Sequence, residues 1–407
     1  MLNFRYTARD PSTGQYVKAE VQAEDEQSAG KLITKEGLVP IDIKLAEKNV
    51  TGLGSRFNRV KMKEKVIFSR QLSTLINAGL PLVQSLRTVN QQTSSKQLKV
   101  VIGKIIADVE AGATLSAAMS RHPQVFNRVY ISLVAAGETS GTLDKALERL
   151  AVQQEKDADL ISKVRSAMVY PIIVLLVMVA VMAFMLVKVL PQVQILYEGL
   201  PGADLPLITK IMLDISKFFV RFWWVIAILL GLGVFFGSRW ARTLGGRRMV
   251  DRLKMKMWPL GELFMKMYMA RFARTGTTLV GSGVPLIQML EVTGDAVDNI
   301  HIKESLNRAV DKVRGGKALS DSLQSDSNFL ELVPNMLRIG EQSGSLEQML
   351  GKTADYFEKE VDDQVKNIST IIEPALMVLL GVMAFVIVAA VLLPIYGLAG
   401  KSFIQGF

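Results

Sequence analysis

The segment from Phe68 to Leu86 returns, little changed, from Phe272 to Leu290, and this repetition limits the folds open to the chain. Nine of its nineteen positions are identical at an offset of 204, among them Gly79 and Gly283, Pro81 and Pro285, Leu82 and Leu286, and Gln84 and Gln288. Gly112 with Leu115-Ser116 matches Gly316 with Leu319-Ser320 at the same offset. After a slip of one residue, Gly137-Glu138-Thr139-Ser140-Gly141-Thr142-Leu143 matches Gly340-Glu341-Gln342-Ser343-Gly344-Ser345-Leu346. Pro171 then matches Pro374, and Pro191 matches Pro394, so the repeated unit includes the apolar stretch that follows each polar part. This is a direct, parallel duplication.

Three stretches can cross a bilayer core about 30 Å thick, which takes about 20 apolar residues in a helix. They run over 169–190, with Lys188 near one end; over 218–237, with Arg221 and Trp223-Trp224 at the expected interface; and over 374–398, with no charge. Pro171, Glu373 and Pro374 fall at the expected membrane boundary of the first and third. A mean hydropathy of +0.27, with 49% of residues apolar, agrees with membrane spans.

Basic residues near the span ends set direction. The connection over 191–217 carries only Lys210 and Lys217, whereas Arg239, Arg242, Arg247, Arg248, Arg252, Lys254 and Lys256 follow the second span. The basic segment, 238–256, is therefore expected in the cytoplasm, and a tail over 399–407 outside it. The block also admits a nucleic-acid or anionic-lipid reading, but it is tied to a span end and has Trp240 alone among its basic residues, too few aromatics for base stacking. The opening Met1 to Tyr6 has neither an apolar run nor a small-residue cleavage site, so residue 1 is expected in the cytoplasm. Both polar copies then lie on the same side, and the unrepeated second span supplies the return crossing.

Apolar residues at helical spacing (Leu72, Leu75, Ile76; Leu82, Leu86, Val89) predict two similar bundles of short helices, over 60–168 and 257–372. Gly79 is expected just past a helix and Pro81 in the first turn of the next, and Gly283 with Pro285 repeats the device. Ser345 and Gln348 fit a reciprocal N-terminal cap. Residues 1–50 read differently, as a small α+β module. Phe4, Tyr6, Ala8 and Val17, Ala19, Val21 alternate like two strands around a turn at Asp10 to Gly14, followed by a helix near Ala29 to Glu36 and a strand at Ile41 to Ile43. Residues 51–60 read as a linker. The fold class is thus mainly α: an integral membrane protein with three transmembrane helices, two homologous cytoplasmic bundles and this N-terminal module.

Chemistry is hard to find. There is no cysteine, and His122 and His301 lie outside the matched motifs, with surface or capping roles expected. Gly351-Lys352-Thr353 resembles the end of a phosphate loop, but position 346 is Leu where a glycine is needed; Gly400-Lys401-Ser402 fails likewise at Ile395. Ser140 and Ser343 lack the spacing that presents a nucleophile. No catalytic residue, metal site or cofactor is expected. Glu138 and Glu341 have two readings: they brace a helical break, or they are docking contacts or part of an oxygen-rich cation site. The span interiors lack the acids, amides and histidines that line transport paths, which argues against the alternative of a permease subunit driven by a separate ATPase.

The doubled Phe-x-Arg and Gly-[Leu/Val]-Pro-Leu segments, the doubled Gly-Glu-x-Ser-Gly-x-Leu segments and three spans in this order resemble the type II secretion F family, which includes the platform protein of type IV pili. Departures are minor, such as Lys317-Ala318 against Ala113-Thr114. The resemblance implies a non-enzymatic, oligomeric protein of the bacterial inner membrane. Its implied partners are a separate cytoplasmic assembly or retraction ATPase, prepilin or pseudopilin subunits, other inner-membrane components of the machine and lipid, with no nucleic acid. The repeat-motif residues Gly79, Pro81, Gly137, Glu138, Ser140 and Gly141, with their matches in the second copy, are candidate structural or docking positions.

Overall fold

The computed structural model describes residues 2–9, 16–23, 26–35, 37–45, 60–192, 195, 207–257 and 260–404. The chain divides into two units, 1–59 and 60–407. In the first, β1 (Leu2–Arg9) lies between β2 (Tyr16–Ala23) and β3 (Val39–Leu45), antiparallel to both. The β1–β3 register shifts between Thr7 and Ala8, next to the Ala8–Pro40 pair, because proline has no N–H to give the ladder. The helix α1 (Glu26–Lys35) supplies Ile33, which is buried with Tyr6 and Ala8. The expected turn over 10–14 and the linker over 51–59 lie outside the described residues.

The second unit contains the repeat. The first copy comprises α2 (Met62–Asn77), α3 (Leu82–Gln92), α4 (Lys96–Glu110), α5 (Leu115–Ser120), α6 (Arg128–Ser140) and α7 (Leu143–Phe184). After α8 (Leu207–Trp240) and α9 (Leu244–Lys256), the second copy repeats the order. Its helices are α10 (Leu260–Gly281), α11 (Leu286–Ala296), α12 (Ile300–Arg314), α13 (Leu319–Leu323), α14 (Leu332–Ser343) and α15 (Leu346–Ile404). Residues one turn apart on α2, such as Phe68 and Leu72, share a buried face. Phe68 packs on Phe126 at a ring separation of 5.8 Å, and Phe272 on Phe329 at 5.3 Å. The two copies share one continuous apolar core.

The bundles do not end where the apolar stretches begin. The sequence suggests a boundary at 168/169 and again at 372/374, because hydropathy changes there and a proline follows. Instead a single helix runs from Leu143 through the apolar stretch and a π turn at Met185–Val189 to Gln192, 50 residues in all. That is about 75 Å of continuous rod at 1.5 Å per residue. α15 is a second such rod. Pro171 forfeits one backbone hydrogen bond inside α7 without ending it. The tail expected from residue 399 is helical through Ile404.

Both rods are long and apolar enough to cross a membrane, and their apolar windows are almost wholly uncovered by protein. α8 begins at Leu207, earlier than expected, and its apolar part is bent by 46° between Ser216–Ile226 and Ile228–Trp240. Leu190, Leu213 and Ala390 bury a small cluster where the three helices meet. The Ser216 hydroxyl donates to the Leu186 carbonyl, within the π turn.

Candidate functional site

The Gly-Glu-x-Ser-Gly-x-Leu segments end α6 and α14 and begin the two rods. Gly137 is buried where α6 meets the start of α7: a Cβ there would lie 2.6 Å from Ala146 Cβ and 3.1 Å from Leu143 Cα. A Cβ on Gly340 would lie 3.0 Å from Leu346 Cα. Gly141 and Gly344 have φ of +70° and +68°, the left-handed cap that glycine adopts without strain. The Thr142 and Ser345 amides turn back to the Gly137 and Gly340 carbonyls. The Ser140 and Ser343 hydroxyls donate to the Ala136 and Ile339 carbonyls at 2.8 and 2.6 Å. Ser345 does not form the expected reciprocal cap with Gln348, because its hydroxyl pairs with Ser343 Oγ at 2.6 Å.

The two glutamates do the same work in both copies. Glu138 accepts from the Leu115 amide at 2.5 Å, the Ser116 amide at 3.0 Å and the Ser116 hydroxyl at 2.5 Å. Glu341 accepts from the Leu319 amide at 2.6 Å, the Ser320 amide at 3.1 Å and the Ser320 hydroxyl at 2.6 Å. Each carboxylate therefore closes the N-terminus of the short helix, α5 or α13, that precedes its own helix in the chain. Anionic oxygens at a helix N-terminus meet unpaired amides and the positive end of the dipole. This explains why Leu-Ser recurs at 115–116 and 319–320. Among the described residues, no group of three or more His, Asp or Glu is placed to hold a metal ion.

The Gly-x-Pro turns follow similar logic. Gly79 and Gly283 have φ of +83° and +80°. Pro81 and Pro285 stand one position earlier than expected, as the N-cap residues of α3 and α11. The Arg of each Phe-x-Arg motif has a partner that the repeat did not single out. Arg70 forms a two-pronged ion pair with Glu155 on α7, which holds the Glu155 carboxyl below its usual range. Arg274 meets Glu358, the equivalent of Glu155, at 2.7 Å, and Asp355 beside it.

A polar seam joins the copies. Gln153 on α7 donates to Thr275 at 3.3 Å and accepts from Thr278 at 3.1 Å, all three side chains being buried. Arg149, Lys156 and Lys163 on α7 reach Glu347, Glu358 and Asp362 on α15 at 3.2, 3.1 and 2.9 Å. Asp157 lies beside this seam. Desolvation raises its carboxyl above the usual range, against the opposing pull of Arg271 and the Gln153 amide.

The remaining sequence candidates are dispersed. Pro171 is buried in α7, and Glu373 with Pro374 is exposed at the start of the apolar half of α15. Trp223 and Trp224 are exposed part-way along α8, well inside the helix end expected beside them. Part of the basic block docks on the second copy: Arg247 pairs with Asp298 at 2.6 Å and Arg248 with Glu304 at 2.7 Å. His301 Nε2 donates to the Arg248 carbonyl at 3.0 Å, which adds to the same junction.

Comparison with known proteins agrees with this doubled plan. The family model described as type II secretion system (T2SS), protein F, matches twice, at residues 68–191 and 272–394. The type IV pilus assembly protein PilC of Thermus thermophilus is 37% identical over 407 residues, covering 99% of both chains. The protein of that name from Pseudomonas aeruginosa is 36% identical, over 90% of this chain and 97% of its own. The type II secretion system protein F of Pseudomonas aeruginosa is 31% identical, over 98% of this chain and 99% of its own. The two apolar rods and these relatives support a place in the inner membrane. With two matched copies and full-length relatives, the chain belongs to the type II secretion system protein F family.

Proposed function

We propose that this chain is a non-enzymatic inner-membrane platform of a type IV pilus or type II secretion machine, coupling a separate cytoplasmic ATPase to the assembly of prepilin or pseudopilin subunits. One observation carries the reading: each lobe and the apolar helix after it share one unbroken rod, and the two rods are pinned together by three ion pairs, with Gln153 tying the first rod to α10. Force applied to either lobe therefore reaches the bilayer without crossing a flexible joint. Both lobes face the cytoplasm in this reading, with α8 as the return crossing, the N-terminal α+β module inside and the end of the chain outside. The chain works as a homo-oligomer with other inner-membrane components and lipid, and engages no nucleic acid. An apolar cleft of about 590 Å³ between α7 and α8, lined in part by Met182, Leu186, Phe219 and Trp223, suits a greasy helix.

The test is to break the rods while keeping their composition. Three glycines inserted after Arg165 and after Ile368 introduce flexible joints. In a strain lacking the native gene, this variant is expected to reach the membrane in normal amount yet build no filament and export no substrate. Normal assembly with both rods broken would defeat the coupling, and solute flux through the purified protein in liposomes would favour a permease.

A further inference from the structure

The two copies meet in an asymmetric way. α6 and α7 of the first lie on α10 and α11 of the second. Among the described residues no comparable contact joins α14 or α15 to α2 or α3. The reciprocal residues show this directly. Tyr356, which stands where Gln153 does, is 49% exposed, and Gln71, the equivalent of Thr275, is hydrogen-bonded to Gln92 in its own copy. Ile339, the equivalent of Ala136, is 50% exposed, whereas Ala136 faces the turn at Ser282 to Pro285 across a shared cleft. A heterologous contact between like units leaves one unmatched face at each end.

The charges point to what fills those faces. Arg149, Lys156 and Lys163 recur every seven residues on α7 and pair with Glu347, Glu358 and Asp362. Moved to the other copy, the basic members become Lys352, Lys359 and Lys366 on α15, all exposed. The acidic members become Asp144, Glu155 and Asp159 on α7. Every sign survives the duplication. Lys352 and Lys359 have no ion pair among the described residues. Glu155 meets only Arg70, whereas Glu358 meets both Arg274 and Lys156. One rim pair is not regenerated: Arg128–Asp295 corresponds to Glu331 and Gln91.

We propose that a second copy of this chain docks head to tail on the α14/α15 face through its own α2, α3 and α7, repeating between chains the contact that each chain makes within itself. Lys352, Lys359 and Lys366 then meet Asp144, Glu155 and Asp159 of the next copy, and Tyr356 and Ile339 are covered. This deepens the homo-oligomer named in the proposed function and rests on that reading only in placing both chains in one membrane. The test reads association rather than filament assembly, so either can fail alone.

The absence of cysteine makes the experiment clean. Full-length chains carrying two different tags are co-expressed, one with Tyr356→Cys and the other with Thr74→Cys, and membranes are treated with a short bismaleimide. The expected product joins both tags, and neither substitution alone gives a dimer. Lys352→Glu with Lys359→Glu on the Tyr356→Cys chain should lower its yield about tenfold. Gln153→Cys with Thr278→Cys in one chain is the positive control and should cross-link internally. A working control without the mixed-tag product would overturn the proposal. So would Tyr356→Cys joining to itself, or the added charges leaving the yield unchanged.

Discussion

Replacing Glu138 by alanine removes the acceptor for two part-buried amides and one hydroxyl at the start of α5. Leaving a buried donor unpaired costs about 1–3 kcal/mol, and losing a helix cap typically costs about 1 kcal/mol. Because the amides of α5 are partly within reach of water, the low end applies, about 2 kcal/mol in total. α5 has six residues and cannot hold itself against solvent, so the loss falls on local opening of α5 from α6. At about 1.4 kcal/mol per decade, amide exchange in α5 should accelerate about 30-fold. Glu341→Ala should do the same to α13 and leave α5 unchanged. Glutamine at either position keeps one acceptor and should fall between the two. Hydrogen exchange by mass spectrometry, on full-length protein in lipid nanodiscs, resolves peptides around 112–122 and 315–326. Unchanged exchange in Glu138→Ala would refute the bracing role. An acceleration that appears only when divalent cations are present, and vanishes with a chelator, would support a cation site instead.

Other perturbations separate packing from charge. Gly137→Ala drives a methyl to 2.6 Å from Ala146 Cβ and should cost about 1–3 kcal/mol, visible as a lowered unfolding midpoint in detergent; Gly340→Ala, at 3.0 Å, should cost less. Gln153→Ala strips the partner from Thr275 and leaves Thr278 only its bond to the Arg274 carbonyl, and should weaken the seam by about 1–2 kcal/mol, read as faster proteolysis between the lobes. Asp157 has a raised carboxyl pKa, so the folded chain holds its proton more tightly than the unfolded chain does. Its effect on stability is therefore most favourable at low pH and worsens as pH rises through the folded value. Asp157→Asn should raise the thermal midpoint at pH 7, with the gain gone below about pH 4.

The plan of the chain was open to sequence reading because it is written twice. Gly79, Gly141 and their matches mark helix ends that only glycine closes easily, and so place two of the helix breaks in each bundle. The Glu138 and Glu341 positions were also visible. Their partners lie 21 to 23 residues away, so only the parallel recurrence of Leu-Ser at 115 and 319 signals them. The Phe-x-Arg motif stands out in the sequence, but Glu155 and Glu358 do not, since a pair spanning 85 residues leaves no local pattern. The sequence places boundaries at 168 and 372 inside continuous rods, because hydropathy reports the surroundings of a helix rather than its continuity. The asymmetry between the copies is illegible in a repeat, which states that two units are alike but not how one is laid against the other.

The central claim is that two like-oriented lobes share one side of the membrane and are tied through it by their rods. Single cysteines at Asn77 in the first lobe, Lys317 in the second and Gln192 at the far end of α7 test it in a chain with no other thiol. Spheroplasts with intact membranes are treated with a membrane-impermeant maleimide, before and after lysis. Labelling of Gln192→Cys before lysis, with Asn77→Cys and Lys317→Cys labelled only after it, is the predicted result. Labelling of Lys317→Cys in intact spheroplasts while Asn77→Cys stays protected would put the lobes in opposite compartments and contradict the account.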